Sequence, residues 1–367
     1  MTVHQEEDIA VMRECFRLAR NGEGSVSPNP MVGAVLVKSG RIVARGYHRT
    51  YGGPHAEVEC LAKYRGSFDG TTLYVNLEPC AHYGNTPPCA DLLAATPIQR
   101  IVVAMADPNP LVSGKGIARL RASGKQVDVG ILEQEAGALN RHFVTAIAHQ
   151  RPYVHVKIAQ SLDGMIAAAH SKRRWISGPP ARELVHRWRS VYDAVIVGAG
   201  TIRADDPLLT ARIEGGRNPA AVVVDGRLTV SPDARLFRNL RGRQVFVCAT
   251  RRSIDRRNRV ASRLEKSGVV VVPFRSGERI ALPELLRELY ARNLGSLLVE
   301  GGSDLFGQFL RSRRVDELTV FIAPIVIGDG VPAYAPNRMP SRRAGFDNLT
   351  TGMIGSDIMV KWLRSQE

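Results

Sequence analysis

Short apolar runs alternate with amphipathic stretches along the whole chain. Apolar and β-branched runs predict strands in the first part of the sequence at residues 32–37, 73–77 and 101–105, and helical spacing lies between them at 57–63 and 88–95. The same alternation returns later, with strands predicted at 153–159, 194–198, 221–225, 245–249, 269–273, 297–300, 318–323 and 357–363, and helices at 180–192, 282–292 and 304–311. This pattern predicts an α/β fold, with helices covering the faces of a sheet.

A break in the pattern near residue 150 indicates a domain boundary. Apolar residues at helical spacing predict one helix over residues 133–150, and Pro152 stops it because proline disfavours helix in the residue before it. A new strand begins at Tyr153. We therefore expect two α/β domains, residues 1–150 and 151–367, each large enough to bury its own core.

Composition and charge narrow the class of protein. The 367 residues are 44% hydrophobic and 23% charged, which excludes a disordered chain, and no apolar run approaches the length of about 18 residues that a membrane helix needs. The net charge is +15, and almost all of it lies beyond residue 150. These basic residues are mostly scattered arginines without interleaved aromatic side chains, so we expect small anionic ligands and a solvated surface, with no nucleic-acid or membrane partner.

Cysteine usage indicates a reducing compartment. The five cysteines are few for the length and odd in number, which argues against a disulfide framework. The N-terminus has neither the basic start nor the apolar core of a signal peptide. We expect a cytoplasmic protein.

The most specific chemical feature is the order His55, Glu57, Cys80 and Cys89. One imidazole and two thiolates suit Zn²⁺ and leave a fourth position open for water, while Glu57 lies close enough to move a proton. Cys80 follows a predicted strand and Pro79, so we expect it at a helix start, where the dipole favours the thiolate.

A purely structural zinc site is the alternative reading of these residues. It would need a fourth protein ligand, for which Cys60 or His82 could be nominated. The order H-x-E followed by P-C and a second cysteine is, however, the signature of zinc deaminases. We expect the other cysteines to be buried small hydrophobic residues.

Three segments of the first domain carry a family resemblance: SPNPMVGAV, GYHRTYGGPHAE and PCAHYGNTPPC. The domain resembles the deaminase half of the bifunctional riboflavin-biosynthesis deaminase–reductase family, which has a cytidine-deaminase-like α/β/α fold. The resemblance implies that one zinc ion is held by His55, Cys80 and Cys89, that Glu57 is the catalytic proton shuttle, and that Asn29 and His48 belong to the substrate pocket. Asn29, between two prolines, also has a plain reading as a turn residue.

One residue departs from that family's pattern. Members often carry Lys or Arg within the loop between the two cysteines, where this chain has Asn85. A cation at that place would meet the substrate phosphate, so the departure puts that contact in doubt and leaves the zinc chemistry unaffected.

Two glycine-bearing turns stand out in the second domain, at residues 197–201 and 298–303. A Gly-Gly pair at a helix start lets backbone N–H groups approach a phosphate closely. Neither turn fits the dinucleotide-binding pattern G-x-G-x-x-G, so each is a weak signal alone.

Four motifs together strengthen that signal: VKIAQSLDG, RWISG, GAGTIRADDPLLTAR and VEGGSDLFGQF. They occur in the order found in the reductase half of the same family, which is similar to dihydrofolate reductase in fold and uses NADPH. The resemblance implies a set of NADPH-binding residues, namely Ala159, Trp175, Thr201, Asp205, Gly302, Ser303, Asp304, Leu305, Phe306, Gly307 and Gln308. It implies a second set that binds the phosphorylated substrate, namely Lys157, Arg173, Arg189, Leu209, Arg212 and Glu300. Two of these also have plain readings: Lys157 as an exposed strand lysine, and Arg173, where relatives commonly carry a small polar residue, as a solvated side chain.

The resemblance spans nearly the whole chain and implies two consecutive reactions. The first is hydrolytic deamination of 2,5-diamino-6-(5-phosphoribosylamino)pyrimidin-4(3H)-one, and the second is NADPH-dependent reduction of the ribosyl group to give 5-amino-6-(5-phosphoribitylamino)uracil. By the same resemblance we expect a homo-oligomer, a dimer or a tetramer. Two alternatives stay open: a zinc-dependent nucleic-acid deaminase acting on tRNA with a basic accessory domain, and a structural zinc protein that serves as an interaction module.

Overall fold

The computed structural model describes residues 3–83, 87–110, 112–169, 175–275, 277, 279–334 and 349–364. The chain divides into two units, Met1–Gln150 and Arg151–Glu367. No helix in the described ranges is both long enough and apolar enough to cross a membrane.

The first unit alternates strands and helices around one sheet. Its elements are α1 (Val3–Ala19), β1 (Gly33–Lys38), β2 (Arg41–Tyr47), α2 (Ala56–Leu61), β3 (Thr71–Val75), α3 (Cys89–Ala94), β4 (Arg100–Val103), α4 (Lys115–Ala122), β5 (Gln126–Val129), α5 (Glu133–Leu139) and α6 (Arg141–His149). The sheet order is β2-β1-β3-β4-β5. Strand β1 pairs antiparallel with both of its neighbours, and β3, β4 and β5 run parallel. The loops that follow β3 and β4 therefore both leave the sheet at the same edge, at the carboxyl ends of these strands.

Two apolar clusters place helices on both faces of this sheet. Leu36, Leu73 and Ile101 point towards α2, α3 and α4. Val35 and Val102 point to the opposite face, towards α1, α5 and α6. Alternation along the strands thus builds the predicted α/β/α layers.

The single helix predicted over residues 133–150 is wrong in one respect. Helix α5 ends at Leu139 and α6 begins at Arg141. The buried side chain of Asn140 accepts a hydrogen bond from the Met31 amide (2.8 Å) and donates one to the Met31 carbonyl (2.9 Å). The Asn140 amide thus pairs with the backbone of the segment that leads into β1, much as a neighbouring strand would. The helix is interrupted at this residue.

The second unit is built on a larger sheet. Its elements are β6 (Tyr153–Ser161), β7 (Met165–Ala168), α7 (Pro179–Val191), β8 (Ala194–Gly198), α8 (Ala199–Asp205), β9 (Ala220–Val224), α9 (Arg235–Arg238), β10 (Val245–Thr250), α10 (Arg251–Arg256), α11 (Asn258–Lys266), β11 (Val270–Phe274), α12 (Leu282–Ala291), β12 (Ser296–Gly301), α13 (Ser303–Arg311), β13 (Glu317–Ala323), β14 (Gly330–Pro332), β15 (Leu349–Ile354) and β16 (Asp357–Leu363). The large sheet has the order β11-β10-β9-β8-β12-β6-β13-β16-β15, and β14 pairs with β7 apart from it. Every strand predicted beyond residue 150 overlaps one of these strands.

Helices cover both faces of this sheet. Apolar side chains of α12 and α13 pack with Val156 and Val299 on one face. On the other face, α7, α8, α10 and α11 pack over alternate residues such as Val195 and Leu298. The strands from β11 to β13 in this order run parallel, and β16 and β15 complete the sheet with antiparallel pairings.

The chain reverses its direction of travel across the sheet at β12. Strands β8 to β11 move outward one after another, and β12 then returns to lie between β8 and β6. In parallel α/β sheets, ligands bind beyond the carboxyl ends of the strands at such a reversal. The cleft of the second unit is therefore expected where β6, β8 and β12 end.

Candidate active sites

Three potential metal ligands meet in the first unit. His55 caps α2, Cys80 follows β3, and Cys89 is the first residue of α3. The His55 Nδ1 atom lies 3.6 Å from the Cys80 Sγ atom and 3.3 Å from the Cys89 Sγ atom. Tetrahedral zinc with Zn–S distances of about 2.3 Å and Zn–N distances of about 2.0–2.1 Å separates such N and S atoms by about 3.6 Å. The spacing of this donor set therefore fits zinc.

Cys80 does not start a helix, contrary to the expectation from sequence. The helix begins nine residues later at Cys89, whose backbone N–H donates to the Cys80 Sγ atom at 3.3 Å. A hydrogen bond from the Cys89 thiol, helped by His55 and opposed by burial, lowers the pKa of Cys80 to about 4. The pKa of Cys89 is raised in turn, because its proton is held in that hydrogen bond and the side chain is buried.

Glu57 is the second residue of α2, beside these ligands, and is only 3% exposed. Burial raises the pKa of this carboxyl group to about 7. Among the described residues, His55, Cys80 and Cys89 alone come together as potential metal ligands, and Cys60 lies in the apolar core instead. Three protein ligands are the number typical of a catalytic zinc site.

His48 lies next to the metal ligand His55, and Asn29 is hydrogen-bonded to His48. The ring of His48 packs edge-on against that of His55, with centroids 5.4 Å apart. The Pro54 carbonyl can only accept, so His48 Nδ1 donates to it at 2.9 Å and leaves Nε2 to accept from the Asn29 amide at 3.1 Å. This chain of bonds fixes which way the Asn29 amide faces.

Glu78 is a feature of this site that the sequence analysis missed. Its buried carboxylate accepts four backbone N–H bonds of 2.9–3.2 Å, from Asp107, Gly114, Gly116 and Ile117. These bonds tie the residue just before Pro79 and Cys80 to the start of α4. An acidic residue at a strand end directly before a ligand was the available signal, and nothing in its spacing revealed the backbone donors.

In the second unit, Arg189 and Glu300 form a buried ion pair. Arg189 projects from α7 and donates to the two Glu300 carboxylate oxygens at 2.5 Å and 2.7 Å. Its remaining terminal nitrogen donates to the Thr210 carbonyl at 3.0 Å. Burial alone would raise the pKa of Glu300, but the Arg189 charge outweighs it and lowers that pKa. The pair joins α7 to the end of β12, and the bond to Thr210 ties Arg189 to the loop after α8.

Lys157 lies on β6 and interacts electrostatically with this ion pair. Burial lowers the pKa of its ammonium group, against the attraction of Glu300. The plain reading of Lys157 as an exposed strand lysine is therefore wrong: its amine is buried near the Arg189–Glu300 pair.

A second arginine holds the neighbouring loop. Arg243 donates to the Leu208 carbonyl, to the Leu209 carbonyl at 2.7 Å and to the Pro219 carbonyl at 3.2 Å. Leu209 and Arg212 both adopt left-handed backbone, with φ of 55°. The Leu209 side chain is buried in the core, so only its backbone is available to a ligand.

The glycine turn after β12 has the features of a phosphate cradle. A Cβ atom on Gly301 would lie 2.8 Å from the Thr201 Oγ1 atom, and Gly302 has a φ of 95°. The Oγ atom of Ser303, at the start of α13, is buried and has no hydrogen-bond partner among the described residues. A buried hydroxyl without a partner next to open backbone N–H groups fits a bound anionic group.

Two family models and several known proteins match this chain. A model of the cytidine and deoxycytidylate deaminase zinc-binding region matches residues 5–105, and a model of the RibD C-terminal domain matches residues 152–358. The riboflavin biosynthesis protein RibD of Aquifex aeolicus is 39% identical over 328 residues, which cover 89% of this chain and 90% of that protein. RibD of Escherichia coli is 36% identical over 335 residues, covering 88% and 89%.

The chain belongs to the RibD family. The crystal structure of a diaminohydroxyphosphoribosylaminopyrimidine deaminase/5-amino-6-(5-phosphoribosylamino)uracil reductase from Thermotoga maritima superposes with a TM-score of 0.86 at 35% identity and covers 99% of this chain and 100% of its own. A structure of Acinetobacter baumannii RibD gives a TM-score of 0.87 at 34% identity, with coverage of 99% and 100%.

Family membership confirms the expected fold and function. RibD proteins are bifunctional enzymes of riboflavin biosynthesis with an N-terminal cytidine-deaminase-like domain and a C-terminal reductase domain that resembles dihydrofolate reductase. Zinc serves the first domain and NADPH the second, and the substrates are small molecules. The donor triangle around His55 and the cradle at Ser303 fit these two cofactors.

The remaining predicted RibD site residues differ in how far they are buried. Ala159 packs beneath α7, and Trp175 is half exposed with the Arg182 guanidinium 5.2 Å from its ring. Asp205 ends α8 on the surface. The Leu305 and Phe306 side chains belong to the core, so only their backbone can meet a coenzyme.

Other members of the predicted set complete the picture. Gly307 is buried within α13, Gln308 is partly buried on that helix, and Asp304 is exposed in its first turn. Arg173 and Asn85, the two departures from the family pattern, lie outside the described residues.

Proposed function

We propose that residues 1–150 deaminate 2,5-diamino-6-(5-phosphoribosylamino)pyrimidin-4(3H)-one, with zinc held by His55, Cys80 and Cys89. The observation that carries this proposal is the meeting of these three ligand atoms within 4.8 Å of one another beside a buried carboxyl group. The deaminase and reductase activities of the Thermotoga relative support the choice of substrate.

In this proposal each side chain has a separate task. Zinc, when bound, supplies the Lewis acidity that makes water a nucleophile at neutral pH. Glu57 holds the proton taken from that water and returns it to the leaving ammonia. Asn29, oriented through His48 and the Pro54 carbonyl, donates to or accepts from the polar edge of the pyrimidine ring. Burial lowers the pKa of His48, which favours the neutral imidazole that this hydrogen-bond chain needs.

The test of this proposal is Glu57→Gln in the full chain. Zinc content should stay at one ion per chain, because Glu57 is not a ligand, while ammonia release should fall by about two to four orders of magnitude. Oxidation of NADPH with the deaminated substrate serves as the control and should persist. Loss of zinc from this variant, or undiminished ammonia release, would remove Glu57 from its proposed role.

We propose that residues 151–367 then reduce the ribosyl group of the deaminated product. The proposed NADPH site is the turn from Gly302 to Gln308 together with Ala159, Trp175, Thr201 and Asp205. The proposed substrate site is the cluster of Lys157, Arg189, Leu209, Arg212 and Glu300. Two arginines next to a carboxylate suit a sugar phosphate, because guanidinium groups bind phosphate oxygens in pairs and the carboxylate accepts from hydroxyl groups.

Replacing Arg212 by alanine tests this arrangement. The KM for the phosphorylated substrate should rise by at least tenfold, since a hydrogen bond to a charged group is lost. The KM for NADPH should change by less than a factor of two. Equal effects on both would place the phosphate elsewhere.

We also propose that the chain works as a homo-oligomer in the cytoplasm. Resemblance to family members supports the assembly, and five cysteines that are all unpaired support a reducing compartment. Light scattering of the purified chain should give the mass of a dimer or a tetramer, and a monomer at working concentration would contradict the assembly.

A further inference from the structure

His186 is a residue of the reductase cleft that neither the motifs nor the mechanism above uses. It lies on α7, four residues after Arg182 and three before Arg189, so these side chains share one face of the helix. The neighbouring stripe of Ala181 and Val185 packs into the core. His186 is therefore carried into the cleft with Arg189.

One nitrogen of this imidazole is buried without a partner. The Nδ1 atom of His186 is shielded from solvent and makes no hydrogen bond with any of the described residues. Buried polar atoms in folded proteins are almost always paired, and an exception in a cleft indicates a place where a ligand completes the bond.

The groups that face His186 carry an excess of positive charge. Arg189 from α7, Arg212 from the loop after α8 and Glu300 from β12 all interact with it electrostatically, and the ring meets the Thr210 backbone. Lys157 from β6 adds a further cation beside Arg189 and Glu300. Among the described residues in these interactions, the single Glu300 carboxylate stands beside the Arg189 and Arg212 guanidinium groups and the Lys157 amine, and this balance favours a ligand with two negative charges.

We propose that His186 binds the phosphate of the reductase substrate through Nδ1 and takes up a proton when that dianion arrives. The inference rests on the proposed reductase function and adds to it a phosphate ligand that also senses pH. A hydroxyl group of the sugar would satisfy Nδ1 but would leave the positive excess unbalanced, so the phosphate is the better occupant.

The direction of the proton movement follows from the same groups. In the free protein, burial and then the charges of Arg189 and Arg212 lower the pKa of His186, against the opposing effects of Glu300 and the Thr210 carbonyl. The imidazole is then neutral at pH 7. A bound dianion reverses the local charge and raises the pKa, so substrate affinity increases as the pH falls through the pKa of the complex and levels off below that of the free protein.

A steady-state comparison gives the first test. His186→Gln should raise the KM for the phosphorylated substrate about tenfold, the loss expected for one hydrogen bond to a charged group, with kcat and the KM for NADPH within a factor of two. The same variant should act on the dephosphorylated substrate as the unmodified chain does. The matched control is His149→Gln, at an exposed position on α6 in the other unit. An unchanged KM, or an equal rise with both substrates, would overturn the proposal.

Calorimetry gives a second test, in which the unmodified chain alone can contradict the proposal and the comparison with His186→Gln assigns the proton. Binding of the phosphorylated substrate at pH 7 is measured in two buffers of different ionisation enthalpy. The phosphate's own ionisation would release protons on binding as the dianion, so we expect net proton uptake, and release or no change in the unmodified chain contradicts the proposal. Uptake that is lost in His186→Gln supports His186 as the acceptor, whereas uptake that persists in this variant assigns the proton to another group such as Lys157 and overturns the proposal. Failure of the unmodified chain to oxidise NADPH with this substrate would instead refute the proposed function itself.

Discussion

The carboxylate of Glu78 offers a sharp test of how the zinc ligands are positioned. In Glu78→Gln one oxygen becomes an NH₂ group and keeps nearly the same volume. Each carboxylate oxygen accepts two backbone N–H bonds. The Oε2 atom accepts from Asp107 and Gly114, and the Oε1 atom accepts from Gly116 and Ile117. The new NH₂ group therefore meets two donors whichever way the amide turns.

The magnitude follows from those contacts. Two hydrogen bonds to a charged acceptor are lost, at about 1.5–3 kcal/mol each, so the free energy of unfolding of the first unit should fall by about 3–6 kcal/mol. Relaxation of the 107–117 segment will bring the value towards the lower end. Because Glu78 precedes Pro79 and Cys80 directly, we expect zinc affinity to fall with it.

The assay is urea unfolding of the full chain, read by zinc release to a chromogenic chelator, with NADPH oxidation as the internal control for the second unit. Glu59→Gln is the matched variant, because Glu59 lies on α2 with only loose ion pairs of 3.4 Å and 3.8 Å. It should lose less than about 1 kcal/mol. If Glu78→Gln released zinc at the same urea concentration as Glu59→Gln, the positioning role given to Glu78 would be refuted.

Three further changes probe the second unit. Arg243→Met should raise the KM for the phosphorylated substrate, because the Leu208 and Leu209 carbonyls lose the donor that holds Leu209 in its left-handed conformation. An unchanged KM would contradict this. Gly301→Ala should raise the KM for NADPH several-fold, since its Cβ would press on Thr201 at 2.8 Å, while ammonia release stays constant. Burial raises the pKa of Glu317, but His155, Lys361 and Tyr153 outweigh this effect and lower the pKa from 4.5 to about 2. The Glu317 carboxylate therefore stabilises the fold above pH 4.5. This stability, up to about 3 kcal/mol, is lost as the pH falls to 2. Urea midpoints of the chain and of Glu317→Gln should therefore converge between pH 5 and pH 2, and a constant gap would refute the assignment.

The sequence predicted the buried strands well and the half-exposed elements poorly. Runs such as residues 194–198 and 245–249 coincide with β8 and β10, because a strand buried among parallel neighbours has a nearly continuous apolar pattern. Strand β2 escaped prediction because the apolar Val43 lies on its exposed side and its buried positions, Ala44 and Gly46, are small, so its alternation of polar and apolar residues is weak. Helix α1, with a polar face exposed along its length, had no equivalent signal in the apolar runs.

In the sites too, residues with a local sequence pattern could be predicted, and residues that depend on tertiary contacts could not. The spacing of His55, Cys80 and Cys89 was readable because metal ligands recur in characteristic order. The break at Asn140 depends on Met31, more than one hundred residues away, and the four donors to Glu78 come from a different loop. His186 carries no motif of its own, and only the packing of α7 reveals its place in the cleft.

We expect one zinc ion, held by His55, Cys80 and Cys89, to support deamination and nothing else in this chain. The most direct test is to strip the protein with a chelator and titrate zinc back while following both reactions. Ammonia release should be absent without metal and rise linearly to a plateau at one zinc per chain, and NADPH oxidation with deaminated substrate should stay constant throughout. Ammonia release by the stripped protein, or a plateau that needs a second zinc ion, would contradict the account.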